Sequence, residues 1–112
     1  MHTVVRSGEL PPSPGGTITF VGEDHGSGVS FFLVSGEPGA GPPLHTHPYS
    51  ETWIVQRGTG RFTVESEELD VGPGDIVVVG PETPHKFTNV GSERLELVCI
   101  HASPRMIQNN LE

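Results

Sequence analysis

The sequence predicts an all-β protein, a small closed barrel or jelly roll formed by one domain. Glycine (15) and proline (11) fill 26 of the 112 positions, which long helices would not tolerate. Alanine, the strongest helix former, occurs only at Ala40 and Ala102. Eight short runs of strand-forming residues are each bounded by turn residues, and this spacing favours a closed barrel over an open sheet.

The chain is predicted to divide into an N-terminal arm (residues 1–16), a barrel domain (17–101) and a C-terminal tail (102–112). The run Leu10-Pro11-Pro12-Ser13-Pro14-Gly15-Gly16 cannot continue a helix or a central strand, because proline lacks the backbone donor. Ser103-Pro104 ends the last predicted strand. The apolar side chains beyond it could pack on this barrel or on a neighbouring subunit, and the sequence leaves both open.

Turn residues separate the predicted barrel strands. Gly72-Pro73-Gly74-Asp75 fits a type II turn, with proline second and glycine third, where φ must be positive. Arg57–Gly60 and Val90–Ser92 are interpreted as hairpin connections. In chain order, the predicted strands are Thr17–Val21, Val29–Val34, Thr52–Gln56, Gly60–Glu65, Glu68–Val71, Asp75–Val79, His85–Thr88 and Arg94–His101.

The charge balance favours a small-molecule partner. A formal net charge of −8, with only six Lys and Arg, argues against nucleic acid and anionic membranes, which attract basic surfaces. No apolar run reaches the length of a membrane span, and the first residues lack a signal-peptide pattern, so we expect a cytoplasmic protein. Cys99 is the only cysteine, which excludes an internal disulfide and, within an apolar run, indicates a buried, unreactive thiol.

Two histidines at the end of a turn-rich connection are the first candidate metal ligands. His45 and His47 lie two residues apart, which in extended chain places both imidazoles on one face with their Cα atoms about 6.6 Å apart. Both rings are then able to reach one ion. A His-x-His pair alone is weak support for a metal, because paired surface histidines are common.

Glu51 and His85 strengthen the prediction of a metal site. Strand alternation places Glu51 on the same side as Trp53, so an inward Trp53 requires an inward carboxylate. A buried carboxylate needs a cation or several donors, and no basic residue is close in sequence. His85 adds a third imidazole from a distant strand, and the set of three nitrogens and one oxygen suits one divalent ion.

The spacing of these residues resembles the two sequence motifs of the cupin superfamily. Gly39-x5-His45-x-His47-x3-Glu51-x6-Gly58 matches every specified position of the first motif. The second motif is Gly-x5-Pro-x-Gly-x2-His-x3-Asn, and Gly74, His85 and Asn89 occupy its first glycine, histidine and asparagine. Gly80 stands at the proline position and Glu82 at the second glycine position.

The resemblance implies a small single-domain cupin with a double-stranded β-helix, a jelly roll whose mouth holds the metal. Carried over to this chain, it implies His45, His47, Glu51 and His85 as ligands and Asn89 as a scaffold residue. Small cupins often form homodimers, so we expect one here. Iron, manganese and nickel are the ions that the family suggests first, while the ligand chemistry also admits zinc, cobalt and copper.

Other side chains are candidates for a substrate pocket. Trp53, Phe62, Phe87 and His101 are predicted to line it, although ordinary barrel core is the favoured interpretation of the aromatic residues. His101 is in phase with Cys99 and either points inward to contact substrate or lies exposed at the strand end. Tyr49 lies between ligands and is a weak candidate for an acid or base, but we expect its side chain to face solvent.

An octahedral ion held by four protein ligands keeps two positions for water, dioxygen or a chelating substrate. The first hypothesis is therefore a metal-dependent enzyme acting on a small oxygenated organic molecule, with dioxygenase chemistry preferred and isomerase or lyase chemistry next. A non-catalytic cupin that binds or senses a small ligand is the alternative, and a purely structural metal is the third interpretation. The identity of a catalytic acid or base stays open.

Overall fold

Ten strands and one turn of 3-10 helix, Gly22–His25, make up the fold in the computed structural model, which describes all 112 residues. No helix of the structure has the length and apolar character needed to cross a membrane. The strands are β1 Ile18–Phe20, β2 Ser30–Gly36, β3 His45–Thr46, β4 Glu51–Arg57, β5 Gly60–Val64, β6 Glu67–Val71, β7 Ile76–Val79, β8 His85–Asn89, β9 Leu95–His101 and β10 Asn109–Asn110.

Two five-stranded antiparallel sheets face each other. One has the order β1-β2-β9-β4-β7 and the other the order β10-β3-β8-β5-β6. The chain alternates between them, so strands that are distant in sequence become neighbours, as β2 and β9 do. This arrangement confirms the predicted all-β jelly roll.

All eight predicted strands are present, but two predicted hairpins are wrong. β4 and β5, which flank Gly58, lie in opposite sheets, as do β8 and β9. Turn residues fix where a strand stops and not which strand it pairs with, so their composition could not reveal the crossing. Gly58 has φ 83°, and a Cβ there would lie 2.5 Å from the Arg94 carbonyl oxygen, which explains the glycine.

The predicted type II turn between β6 and β7 is confirmed. Gly74 has φ 88°, and the backbone N–H of Asp75 donates to the Gly72 carbonyl at 3.0 Å. The Asp75 carboxylate also accepts a hydrogen bond from the Gly72 N–H at 2.9 Å. The turn therefore directs β7 back along β4, which carries Glu51 and Trp53.

Alternation along β4 and β9 directs every second side chain into the barrel. Cys99 is 2% exposed, and burial raises the pKa of its thiol well above the usual range, as expected for an unreactive cysteine. The buried apolar core consists of Trp53, Val55, Phe62, Val79, Phe87, Leu95, Leu97 and Cys99.

The opposite side of the β1-β2-β9-β4-β7 sheet is also apolar, and we call it the outer face. Its side chains form two rows that cross all five strands. Ile76 and Val78 are its most exposed members, at 63% and 68%. In register, the rows are Ile18–Leu33–Val98–Ile54–Ile76 and Phe20–Phe31–Ile100–Thr52–Val78.

The two chain ends differ in how they meet the barrel. Residues 1–16 contain no strand, although the Gly15 carbonyl accepts a 2.6 Å hydrogen bond from Arg94. The tail folds back on its own barrel, where β10 pairs with β3. The Glu112 carboxylate there accepts the Leu44 backbone N–H at 2.8 Å and contacts Lys86 Nζ at 3.1 Å.

Candidate metal centre

β3 and β8 bring three imidazoles together in one sheet. His45 and His85 are cross-strand partners, and their ring centroids lie 4.3 Å apart. His47 follows β3, with its ring centroid 4.8 Å from that of His45 and 5.0 Å from that of His85. The two-residue spacing of His45 and His47 thus places both rings on one face, as the extended chain predicts.

Glu51 reaches the imidazoles from the opposite sheet, at the start of β4. Its Oε1 lies 3.0 Å from His85 Nε2 and 3.1 Å from His47 Nε2. Its Oε2 accepts a hydrogen bond from Trp53 Nε1 at 2.8 Å. One oxygen therefore faces the histidines while the indole holds the other, and the alternation that predicted an inward Glu51 beside Trp53 is confirmed.

Backbone carbonyl groups hold the far side of each imidazole. His45 Nδ1 lies 2.6 Å from the Pro43 oxygen, His47 Nδ1 2.6 Å from the Ile107 oxygen, and His85 Nδ1 2.7 Å from the Thr83 oxygen. A carbonyl can only accept, so each Nδ1 carries the proton and donates it. Each neutral ring then presents the lone pair of Nε2, which is the arrangement of metal-binding histidines.

The donor set fits a divalent metal ion. The ligand atoms of His45, His47, Glu51 and His85 all lie within 4.8 Å of one another, and the four residues are 1–5% exposed. His47 Nε2 is buried without a hydrogen-bond partner of good geometry, as expected for a lone pair directed at an ion. Three nitrogens and a carboxylate oxygen suit a first-row transition metal, so the chain carries a site for one divalent ion.

Contacts with neighbouring histidines keep Glu51 ionised. Burial alone raises the pKa of the carboxyl, but contacts with His101, His47 and His85 outweigh burial and lower the pKa well below its usual range. Burial also lowers the pKa of His45. The pKa of His47 is raised despite burial, because Glu51 and the Ile107 carbonyl stabilise the protonated ring.

A fourth imidazole, that of His101, lies beside the ligands without belonging to their cluster. His101 is 2% exposed, and its Nε2 lies 3.3 Å from Glu51 Oε2, so the side chain points inward and the exposed alternative is wrong. Its Nε2 has no hydrogen-bond partner of good geometry. The phase of His101 with Cys99 was the one sequence signal for this position.

Tyr49 is half-buried and its hydroxyl is directed at His101, so the expectation of a side chain that faces solvent is wrong. Its hydroxyl lies 2.6 Å from His101 Nδ1 and accepts the Ile107 N–H at 3.1 Å. The ring stacks on that of His47, with centroids 5.1 Å apart. Burial raises the pKa of the phenol, which therefore stays protonated near neutral pH. The tail, which the sequence left unplaced, supplies the partner that turns Tyr49 inward.

A cavity of about 400 Å³ opens beside the cluster. Of the predicted pocket residues, Trp53, Phe87 and His101 line this cavity, as do two of the ligands, His45 and Glu51. Phe62 does not line it. Its fully buried ring packs against those of Trp53 and Phe87, with centroids 4.6 and 5.3 Å away.

The turn before His85 shows how the altered second motif is accommodated. Glu82, at the motif's glycine position, has φ 61°, a left-handed conformation that glycine adopts more readily. Its N–H donates to the His47 carbonyl at 2.7 Å, so the turn keeps its backbone contact with the site. His85 holds its place in the cluster although Gly80 and Glu82 depart from the motif.

Solved structures with a similar fold include oxalate-converting enzymes. Lactobacillus farciminis oxalate decarboxylase aligns with a TM-score of 0.81 and 23% identity, over 92% of this chain and 34% of that chain. Bacillus subtilis oxalate decarboxylase, an enzyme with Mn(II) centres, aligns with a TM-score of 0.77 and 25% identity, over 92% of this chain and 30% of that chain. An oxalate oxidase aligns with a TM-score of 0.76 and 20% identity, over 88% of this chain and 57% of that chain. The chain spans 30 to 57% of the length of these proteins, so the likeness concerns the fold.

Two curated relatives match shorter stretches. The uncharacterized protein MJ1618 of Methanocaldococcus jannaschii is 36% identical over 62 residues, which are 54% of this chain and 50% of the relative. YbfI of Bacillus subtilis, an uncharacterized HTH-type transcriptional regulator, is 23% identical over 66 residues, 59% of this chain and 24% of the relative. The chain thus spans half or less of these relatives.

The cupin domain family matches residues 32–101, well over half of the chain. The matched stretch contains all four clustered ligands, the inward Trp53 and His101. Sheet order, ligand geometry and the family match agree, and the chain belongs to the cupin family.

Proposed function

We propose that this cupin is a metal-dependent enzyme that acts on a small oxygenated organic molecule, with dioxygenase chemistry preferred. The observation that carries the proposal is the set of three Nδ1–carbonyl hydrogen bonds, which leave each Nε2 free for an ion within a cluster that includes Glu51 and lies beside a cavity. A metal that only pinned a barrel would need no cavity at its side. Iron, manganese and nickel are the ions proposed first.

The chain's own residues have separate roles in this proposal. His45, His47, Glu51 and His85 hold the ion, which supplies Lewis acidity and, if redox-active, a route to dioxygen chemistry. Trp53 fixes the carboxylate through Oε2. His101 lines the cavity with an unpartnered Nε2, so it is the proposed contact for the polar head of a substrate.

The test is metal analysis followed by turnover. Freshly purified protein should contain about one divalent ion per chain, and His85→Ala protein should contain almost none. Protein loaded with Fe(II), Mn(II), Ni(II) or Zn(II) is then given diols, catechols, keto acids and sugars, while oxygen uptake and products are measured. Oxygen consumption with product supports the dioxygenase, and product without oxygen uptake indicates an isomerase or lyase.

A non-catalytic binding or sensing role is the second candidate. The match to a relative described as a transcriptional regulator favours it, since a cupin barrel can serve such a protein as its ligand-binding part. Tyr49 and His101 are the only candidates for a catalytic acid or base, which also favours a non-catalytic role. Saturable ligand binding by the metal-loaded protein, without turnover of any member of the panel, would identify this role and exclude the enzyme.

We also propose that the chain forms a homodimer through the outer face. Nine of the ten residues in its two rows are apolar and Thr52 is the exception, so these two rows carry no charge in a chain of net charge −8. Two like-charged copies meet most favourably across an uncharged surface, and an exposed apolar patch of this kind is typical of an interface.

Light scattering after gel filtration tests the dimer. The wild type should elute as a dimer and the Ile76→Glu/Val78→Glu double variant as a monomer. Leu69→Glu, which adds one negative charge at an exposed apolar residue of β6, should remain a dimer. A monomeric wild type at about 100 μM, a concentration at which a micromolar complex is mostly associated, would contradict the interface.

A further inference from the structure

The cavity beside the metal centre is apolar along most of its length. Its lining includes the exposed Gly15 and Glu37 at one end and the buried His101, next to the metal centre, at the other. Between them the walls include Phe32 and Val34 on β2, and Leu95 and Cys99 on β9. A volume of about 400 Å³ is within the range of small-molecule sites and exceeds what a two-carbon ligand would fill.

The neutral polar groups in the wall already have partners. Thr17 Oγ1 accepts the Ser35 N–H at 3.3 Å, and Ser35 Oγ accepts a hydrogen bond from Arg94 Nε at 2.9 Å. Gln108 Nε2 donates to Asn110 Oδ1 at 2.7 Å. A ligand would have to displace one of these contacts to gain a polar partner along the wall, which removes most of the gain.

The cavity also lacks a cation. No Lys or Arg lines it. Arg94 contacts three lining residues, but its guanidinium is held by the Gly15 carbonyl at 2.6 Å, by Ser35, and by Glu37 at 3.8 Å. The exposed carboxylate of Glu37, which also lines the cavity, would repel a second negative charge on a ligand.

Among the lining residues, the buried side-chain atom without a hydrogen-bond partner lies next to the metal centre. His101 Nε2 is buried, unpartnered and beside Glu51, and the His45 ring lines the cavity next to it. A ligand can therefore place one polar head at the metal centre, while the rest of the molecule meets carbon atoms. This distribution is unlike that required by a small dianion, which is charged at both ends.

We propose that the ligand is a molecule with one oxygenated chelating head and an apolar aliphatic or aromatic body, and that small dicarboxylates such as oxalate are disfavoured. The inference rests on the proposed function, because the head is bound through the metal. It separates this chain in substrate class from the oxalate-converting enzymes whose fold it shares.

Titration of the Zn(II)-loaded protein with n-alkyl hydroxamates, from acetohydroxamate to octanohydroxamate, tests the proposal by calorimetry. The affinity should rise roughly fourfold for each methylene added until the cavity is filled. This factor corresponds to the free energy gained when one methylene group is buried. An affinity that does not change with chain length would overturn the proposal.

Val34→Lys places a cation in the wall, and Ser66→Lys adds the same charge at an exposed turn as the control. The Val34 variant should bind octanohydroxamate at least tenfold more weakly and oxalate more tightly, while the control behaves as wild type. Should Val34→Lys fail to fold, Val34→Thr keeps the shape, adds a hydroxyl and should weaken octanohydroxamate severalfold. Unchanged binding in the folded variant would count against the cavity as the binding site.

A separate readout distinguishes failure of this inference from failure of the proposed function. If none of Zn(II), Fe(II), Mn(II) and Ni(II) binds, the proposed function is wrong, and metal-free protein is then titrated with ethanol and 1-octanol. Stabilisation by 1-octanol that exceeds stabilisation by ethanol supports an apolar ligand body. Equal stabilisation by the two alcohols overturns it.

Discussion

The same strands build two different halves of the barrel interior. On β4, Glu51 belongs to the metal end, whereas Val55 four residues later belongs to the apolar end. On β9, His101 likewise lies at the metal end and Leu97 at the apolar end. At the metal end each buried polar side chain is oriented by a hydrogen bond or ion contact, while at the apolar end position follows from packing.

This division suggests that stability and metal binding are separable. Packing at the apolar end does not use the ion, and the Nδ1–carbonyl hydrogen bonds at the metal end form without it. We therefore expect the metal-free barrel to fold, with the apolar end as the main source of stability. Substitutions at either end should show which property each half controls.

Phe62→Ala should produce the largest effect on stability. Phe62 is fully buried between Trp53 and Phe87, and removal of such a ring costs about 3–5 kcal/mol of unfolding free energy. Urea denaturation of metal-free protein measures the loss, and Phe62→Leu should lose less. Metal affinity of the folded variant should stay near that of wild type, and a large drop would show that the two ends are not separable.

His85→Ala should have the reverse profile. The variant loses one of three nitrogen ligands, and we expect metal affinity to fall by about 100-fold or more, since even the residues that support ligands are worth 10–100-fold. The unfolding free energy of metal-free protein should change by less than in Phe62→Ala. Competition with a fluorescent chelator gives the affinity, and wild-type metal affinity would rule out His85 as a ligand.

Trp53→Phe probes the residue that serves both halves. Phenylalanine keeps much of the apolar volume but cannot donate to Glu51 Oε2, so metal affinity should fall about tenfold. Phe87→Leu disturbs the neighbouring packing without removing a donor and serves as the control. An equal loss of affinity in both variants would assign the effect of Trp53 to packing alone.

Acidification should release the metal. The pKa of His47 is raised above 6.5, its ordinary value, so protons compete with the ion close to neutral pH. Affinity should be full above that pKa and fall as pH decreases through it, by up to about tenfold per pH unit for each proton taken up. Glu51, with its lowered pKa, stays ionised over this range. Chelator competition between pH 8 and pH 6 gives the slope, and a flat profile would contradict proton competition at His47.

Glu82→Gly should have the smallest effect and should stabilise. Glycine removes the strain that a side chain causes in the left-handed conformation of Glu82, which stabilises the folded variant. The greater freedom of glycine in the unfolded chain opposes this gain, so the unfolding free energy should rise by about 0.5–1 kcal/mol. Thermal unfolding measures the gain, with Glu82→Ala as the control because alanine retains the strain. A destabilised glycine variant would mean that the Glu82 side chain contributes to the turn.

Local patterns in the sequence were sufficient for eight of the ten strands and for the four ligands, but not for the two-residue strands β3 and β10. Alternation placed Glu51 and Trp53 on one inward face, and the spacing of His45 and His47 placed both rings together. Contacts over long sequence distances were not accessible in this way, because Ser103-Pro104 shows only where β9 stops. The Ile107 carbonyl that orients His47 and turns Tyr49 inward comes from the segment beyond it.

The docked tail has a consequence for any measurement of metal affinity. Ile107 donates to Tyr49 and accepts from His47, and β10 and Glu112 hold the segment against β3 and Leu44. If a docked tail strengthens the grip on the ion, thermodynamic reciprocity requires that the ion strengthen the docking of the tail by the same factor. Protease sensitivity of the C-terminal segment would then report metal occupancy, and a chain shortened at Pro104 would understate the affinity of the intact protein.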